Sequence, residues 1–187
     1  MDTVDHGVES RSPEKRVLYA AFVDMSGGSC DDVVLAIAHR DADSRVVLDR
    51  IIDQRQRPPF DPRWAVERFA AILREYQLST VTGDRYAGET FKADFERQGI
   101  RYVVSGQTKS QLYEALEPVL NGRRVILVDT PKLEQQFLGL IWRGGKIDHQ
   151  PGEHDDFANA CAGVVARAVR AERDARAAAF ASACIRA

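Results

Sequence analysis

The run Val17-Leu18-Tyr19-Ala20-Ala21-Phe22-Val23 is apolar throughout and stops abruptly at Asp24. A strand with no polar face has both faces covered, which puts it in the middle of a sheet with helices above and below. Two more strand-like runs follow closely, Val33–Ala38 and Val46–Ile52, set off by the turn residues Ser26-Gly27-Gly28-Ser29 and Asp41-Ala42-Asp43-Ser44. Turns this short join antiparallel neighbours.

The pattern then changes. Arg57-Pro58-Pro59-Phe60-Asp61-Pro62 ends the antiparallel stretch, and Asp61 before Pro62 makes a cap and first position for a helix. Val66, Phe69, Ala70, Leu73 and Tyr76 continue at helical spacing. Strands are expected at 80–82, 102–104 and 125–128, with helices near 88–98, 110–120 and 130–140. Residues 144–153 read as a Gly/Pro/His-rich loop. A closing helix begins near His154, with Phe157, Cys161, Val164, Val165, Ala168 and Val169 as its apolar stripe. Strands that alternate with helices imply parallel crossovers. The expected class is α/β: three antiparallel strands, then parallel βα units, in one mixed sheet flanked by helices.

At 187 residues, 44% of them hydrophobic and 29% charged, the chain has room for a core that needs no disulfide. The formal net charge of -2 does not by itself advertise a nucleic-acid partner, although a local basic face matters more than the sum. Cys30, Cys161 and Cys184 form no CxxC pair, which fits a reducing compartment, with Cys30 and Cys161 as small packing residues. No run nears the roughly 18 apolar residues of a membrane span. Residues 1–15 are polar, carry both signs of charge and lack an apolar signal core, so they read as a disordered tail or linker stub. Residues 16–180 are then the folded domain and 181–187 a C-terminal tail.

Three acidic positions are notable for where they fall. Asp24 ends the most buried strand, Asp84 ends a strand of the second half, and Asp155 and Asp156 open the closing helix. Sites in open sheets favour the carboxyl ends of strands. Carboxylates gathered at one point repel unless a cation neutralises them. Mg²⁺ and Mn²⁺ take oxygen ligands and leave positions for substrate phosphates, and two such ions can hold the attacking and leaving oxygens of a phosphodiester. Each acid also has a plainer reading, as a turn aspartate at Asp24 and Asp84 and as a complement to the helix dipole at Asp155 or Asp156. The combination favours a metal site.

Several stretches resemble the nuclease domain of bacteriophage terminase large subunits: residues 22–32 (FVDMSGGSCDD), 57–62 (RPPFDP), 82–89 (TGDRYAGE), 108–110 (TKS), Leu112-Tyr113 and 147–160 (IDHQPGEHDDFANA). The resemblance covers roughly residues 17 to 168, and its most specific parts are GDRYAG and HDDFANA. It implies a ribonuclease-H-like fold and a nuclease domain, a hydrolase of phosphodiester bonds that cuts concatemeric double-stranded viral DNA during genome packaging with two Mg²⁺ or Mn²⁺ ions. The family's acidic ligands fall on Asp24, Asp84 and the Asp155-Asp156 pair, with Asp156 favoured. It further implies a portal protein, a terminase small subunit and a separate ATPase domain as partners, no membrane, and the cytoplasm of the bacterial host as location. One departure is the lack of a GxxxxGK[ST] phosphate loop, so this chain is expected neither to hydrolyse ATP nor to translocate DNA by itself.

Around that site, Lys109 and Arg85 are candidate contacts to DNA phosphates, as are Arg143 and Lys146 beside Gly144-Gly145. Each is equally at home as a solvated or ion-paired surface residue. His154 is expected to orient Asp155, Asp156 or a metal-bound water, and Glu153 is an outside candidate for a ligand. Trp64 and Trp142 are expected to be packing anchors rather than base-stacking platforms. No GxSxG elbow or local Ser-His-Asp or Cys-His set supports a nucleophilic side chain. A Holliday-junction resolvase or other ribonuclease-H-like nuclease, and a catalytically idle docking module of a packaging complex, are the alternatives.

Overall fold

A computed structural model describes residues 3–26, 31–57 and 59–185, without the side chains of 85–89 and 172–185. Cys30, Cys184 and the Gly27-Gly28 turn fall outside the described residues or side chains. The strands are β1 (Val4–Asp5), β2 (Tyr19–Asp24), β3 (Val34–Arg40), β4 (Val46–Asp53), β5 (Thr80–Gly83), β6 (Arg101–Val104), β7 (Val125–Val128), β8 (Leu140–Arg143) and β9 (Lys146–His149). The helices are α1 (Pro62–Glu75), α2 (Arg85–Arg97), α3 (Lys109–Asn121), α4 (Pro131–Leu138) and α5 (Asp156–Ile185).

Seven strands form one mixed sheet in the order β1-β7-β4-β3-β2-β5-β6. β3 is antiparallel to both β2 and β4, and the remaining pairings are parallel. The sheet is thus the mixed α/β arrangement that the sequence pattern implies. Alternation along β2 and β3 divides the core in two. Phe22, Val34, Ala36 and Ala38 face the layer of α3, α4 and α5. Ala21, Val23, Leu35 and Ile37 face α1 and α2. By the same alternation Asp24, two residues after Phe22, turns to the α5 side.

Gly163 lets α5 lie directly on β2, because a Cβ at that position would overlap the Phe22 ring. A mid-helix glycine costs about 1 kcal/mol relative to alanine, so the close approach offsets an intrinsic penalty. At the same end of the sheet, on β5, a Cβ on Gly83 would overlap Tyr102 and meet the Val23 carbonyl at 2.9 Å. Asp61 caps α1 as expected, its side chain accepting from the Arg63 amide at 3.0 Å. Thr108 and Gln111 close a capping box on α3.

Several expectations need correction. The segment before Lys15 is not a loose tail over its described part. Val4 and Asp5 pair in parallel with Leu127 and Val128, the Arg11 amide donates to the Asp49 carbonyl at 2.8 Å, and the Tyr76 hydroxyl donates to the Arg11 carbonyl. These partners lie far away in sequence, so the composition of residues 1–15 could not reveal them. At the other terminus α5 continues to Ile185, through the start of the expected tail. The expected 144–153 loop is half hairpin, with β8 and β9 joined through Gly144 and Gly145 at φ 58° and 77°, the signature of a two-residue type I′ turn. Trp64 and Trp142 are 58% and 65% exposed rather than packed inside. Trp64 lies off the buried stripe of α1, and Trp142 sits on a two-stranded ribbon apart from the main sheet. Cys161 is fully buried, as a packing residue would be. Among the described residues no helix is long and apolar enough to cross a membrane.

Candidate metal centre

The strand directions bring one set of ends together. β2, β5, β6, β4 and β7 all run the same way, so their carboxyl ends share a rim. Val23 and Gly83 pair across the β2–β5 boundary, which puts Asp24 and Asp84 one residue beyond, on neighbouring strands. α5 begins at this rim. Its residue Asn159 donates to Asp24 Oδ2 from Nδ2 at 2.8 Å, a link between positions 135 residues apart. Asp24 is 8% exposed, Asp156 is 9% and Asn159 is 2%.

Burying carboxylates together has an electrostatic cost. Burial lifts the Asp24 carboxyl well above its ordinary range. The Asn159 amide opposes the rise, and the charges of Asp84 and Asp156 add to it. Asp156 is pushed up to about 6 by burial and then by the charges of Asp31, Asp155 and Asp32. Its Oδ2 is buried with no hydrogen-bond partner among the described residues, as is Asn159 Oδ1. Buried oxygens without donors are costly unless something positive meets them. An all-oxygen donor set suits hard divalent cations, so Asp24, Asp84 and Asp156 fit a Mg²⁺- or Mn²⁺-type group. Among the described residues, no three acidic, histidine or cysteine side chains are already drawn into a closed ligand set.

Asp155 shares the rim, with both of its oxygens held by protein donors. Its Oδ1 accepts from Lys109 Nζ at 2.7 Å and its Oδ2 from the Tyr113 hydroxyl at 2.8 Å. Lys109, a candidate for a DNA phosphate, therefore spends its charge on Asp155, with Asp148 farther off at 3.9 Å. Burial alone would lower the Lys109 pKa, but Asp155, Asp24 and Asp148 offset that and raise it, so the ammonium stays charged. The Tyr113 hydroxyl is pushed up by burial and by Asp155, and stays a donor.

The remaining predicted residues are spread more widely. The His154 Nδ1 meets Asp31 Oδ1 at 2.9 Å, and its charge acts on Asp156 without a hydrogen bond among the described residues. Arg85 opens α2 immediately after Asp84, and its side chain lies outside those described. Arg143 and Lys146 are exposed on either side of the hairpin turn. Glu153 is exposed, and its side chain approaches Gly139.

Five supporting residues lie outside the set that the sequence predicts. Asn159 was detectable in principle, because it follows Asp156 by three positions and so shares its helical face. Gln136 of α4 was not: its buried Oε1 accepts from the Phe157 and Ala158 amides at 2.7 and 3.1 Å. That side chain caps α5 from another helix, so neither aspartate has to serve as the cap. Asp32 is held by Lys132 and by Gln54 Nε2 at 2.6 Å. Against the effect of burial, these two keep its carboxyl below the ordinary range.

No protein-family model matches the chain, and no curated protein sequence matches it. Solved structures do. The large terminase nuclease of thermophilic phage G20c superposes with a TM-score of 0.70 at 15% identity, covering 83% of this chain and 85% of that one. The large terminase of bacteriophage HK97 gives 0.67 at 16% identity; 84% of this chain is covered, but it spans only 41% of the HK97 protein. The large terminase nuclease domain of bacterial virus Sf6, solved with manganese and β-thujaplicinol, gives 0.57 at 13% identity, with 81% and 89% covered. The architecture of this chain, a seven-stranded mixed sheet between helical layers, is therefore the ribonuclease-H-like fold of phage large-terminase nuclease domains.

Proposed function

We propose that this chain is a divalent-metal-dependent DNA endonuclease that cuts double-stranded viral DNA during genome packaging. The observation that carries the reading is the pair of buried carboxylates, Asp24 and Asp156, beside Asp84 on one rim, with Asp156 Oδ2 lacking a donor among the described residues. Asp24, Asp84 and Asp156 would hold Mg²⁺ or Mn²⁺. Bound ions of that kind supply Lewis acidity toward the phosphodiester and lower the pKa of the attacking water. Metal binding by a related fold supports this assignment, since the Sf6 nuclease domain was solved with manganese.

The chain's own residues do the positioning. Asn159 fixes the Asp24 carboxylate from the helix side. Gln136 holds the first turn of α5 and with it Asp156. Lys109 and Tyr113 lock Asp155, which acts as a strut between α3 and α5 rather than as a ligand. Arg85, Arg143 and Lys146 are proposed phosphate contacts. A packaging ATPase, a portal protein and a small subunit are the proposed partners, and the host cytoplasm the proposed location. Residues 16–180 are the proposed nuclease unit, now with the β1 segment attached to its sheet.

The test is nicking of supercoiled plasmid by the full chain. Cutting in Mn²⁺ or Mg²⁺, abolished by EDTA and by Asp24→Asn or Asp84→Asn in folded proteins, is expected. No cutting by the intact chain in either metal would overturn the proposal, and strong preference for four-way junctions over linear duplex would redirect it to a resolvase.

A further inference from the structure

The rim carries a second feature that the acidic site does not use. Asp53 ends β4 opposite Val34, which itself pairs with Asp24. The segment after Asp53 thus leaves the sheet two strands away from Asp24, on the order of 10 Å along the rim. Gln54 anchors it, accepting from the Val33 amide at 2.9 Å and donating to Asp32 and to the Gln56 carbonyl, each at 2.6 Å. Asp32 is one of the charges that Asp156 feels, so this segment and the acidic site share one frame.

Beyond the anchor, Arg55 and Arg57 are exposed. Among the described residues neither side chain has an ion-pair partner. α1 follows with its first turn at the same rim, because the Arg68 guanidinium reaches back to the Asp53 carbonyl. Trp64 lies one turn before Arg68 on the same helical face, about 6 Å farther out past the strand end. Its indole is 58% exposed. Arg63 beside it pairs with Asp61 at 3.2 Å but stays 68% exposed. Between residues 55 and 68 there are four arginines and two acids. Burial lowers the Arg68 pKa; the charge of Asp53 opposes the drop, and those of Arg55 and Arg50 add to it.

We propose that Arg55, Arg57, Arg63 and Trp64 form a track for a single DNA strand that leads to the acidic rim, the arginines meeting phosphates and Trp64 stacking on a base. Exposed guanidinium groups supply the backbone contacts. An exposed indole beside them is the platform on which an unpaired base stacks. The inference rests on the nuclease reading only in requiring that the chain engage DNA.

The test measures fluorescence anisotropy of a labelled 20-nucleotide single strand and of its duplex with the full chain in EDTA, where no cutting interferes. Arg55→Ala/Arg57→Ala is expected to weaken single-strand binding and to reduce the salt slope by about 1.4, two phosphates' worth. Trp64→Ala is expected to weaken it about tenfold with the salt slope unchanged, and Trp64→Phe to keep most of the affinity. Wild-type binding by both variants would overturn the track, whatever the plasmid assay says. Loss of affinity for duplex equal to that for single strand on Trp64→Ala would overturn the stacking role. Track-dependent binding without metal-dependent cutting would uphold the track and sink the nuclease.

Discussion

Asp156 offers a test in which the expected sign is the opposite of the usual one. Replacing a buried, functional-looking side chain normally destabilises a protein. Here the carboxyl rises from an ordinary 3.8 to about 6 because burial and neighbouring acids disfavour its charged form. Ionised Asp156 therefore costs about 3 kcal/mol in the metal-free fold. Since the folded state holds this proton to higher pH than the unfolded chain does, the metal-free protein loses stability as pH rises from about 4 through about 6. Asp156→Asn removes the penalty. In EDTA at pH 8 the variant should melt roughly 6–12 °C above the parent, and the gap should close by about pH 4. Saturating Mn²⁺ should reverse the ranking, because only the parent gains the full binding free energy. Thermal unfolding followed by circular dichroism at pH 4, 6 and 8 reads all three outcomes. A variant less stable than the parent at pH 8 in EDTA would mean that protein donors satisfy Asp156, and the metal argument built on its bare oxygen would fail.

Three other perturbations probe the supports of the site. Gln136→Ala should cost about 1–3 kcal/mol, because two amides at the start of α5 lose their acceptor; hydrogen exchange at Phe157 and Ala158 should speed up, and Gln136→Glu should restore protection. Lys109→Met should destabilise by about 2–3 kcal/mol in urea unfolding by leaving Asp155 with Tyr113 alone, less than for a fully buried pair because Lys109 is partly exposed; an unchanged midpoint would show that the pair holds nothing. Gly163→Ala should lower the stability measured in urea unfolding by about 1–3 kcal/mol through overlap with Phe22, despite alanine's better helix propensity; a stabilised variant would show that α5 can shift outward without loss.

Legibility in the sequence followed the range of the interactions. Local signals served well: the apolar run of β2, the Asp61-Pro62 start of α1, and the strand-end positions of Asp24 and Asp84. The β8–β9 hairpin was also local, marked by Gly144-Gly145 between Leu140-Ile141-Trp142 and Ile147, and a reading weighted toward loop composition passed over it. What pairing alone decides was not visible. β1 is two residues long and exists because β7 offers an edge. Trp64 and Trp142 were expected as packing anchors, yet their elements leave them at the surface.

The sequence by itself determined which residues can be ligands, which strands are fully buried, and the order of elements that makes a mixed sheet, because periodicity and end signals act within a few residues. Only the tertiary structure decided which acid is bare and which is spent. Asp155 and Asp156 are neighbours of identical chemistry, but Lys109 and Tyr113, more than 40 positions upstream, claim the first. The second is left with a buried oxygen that no donor among the described residues reaches. That division depends on which helix packs against which, and the chain settles it only when α3, α4 and α5 close over the same edge of the sheet.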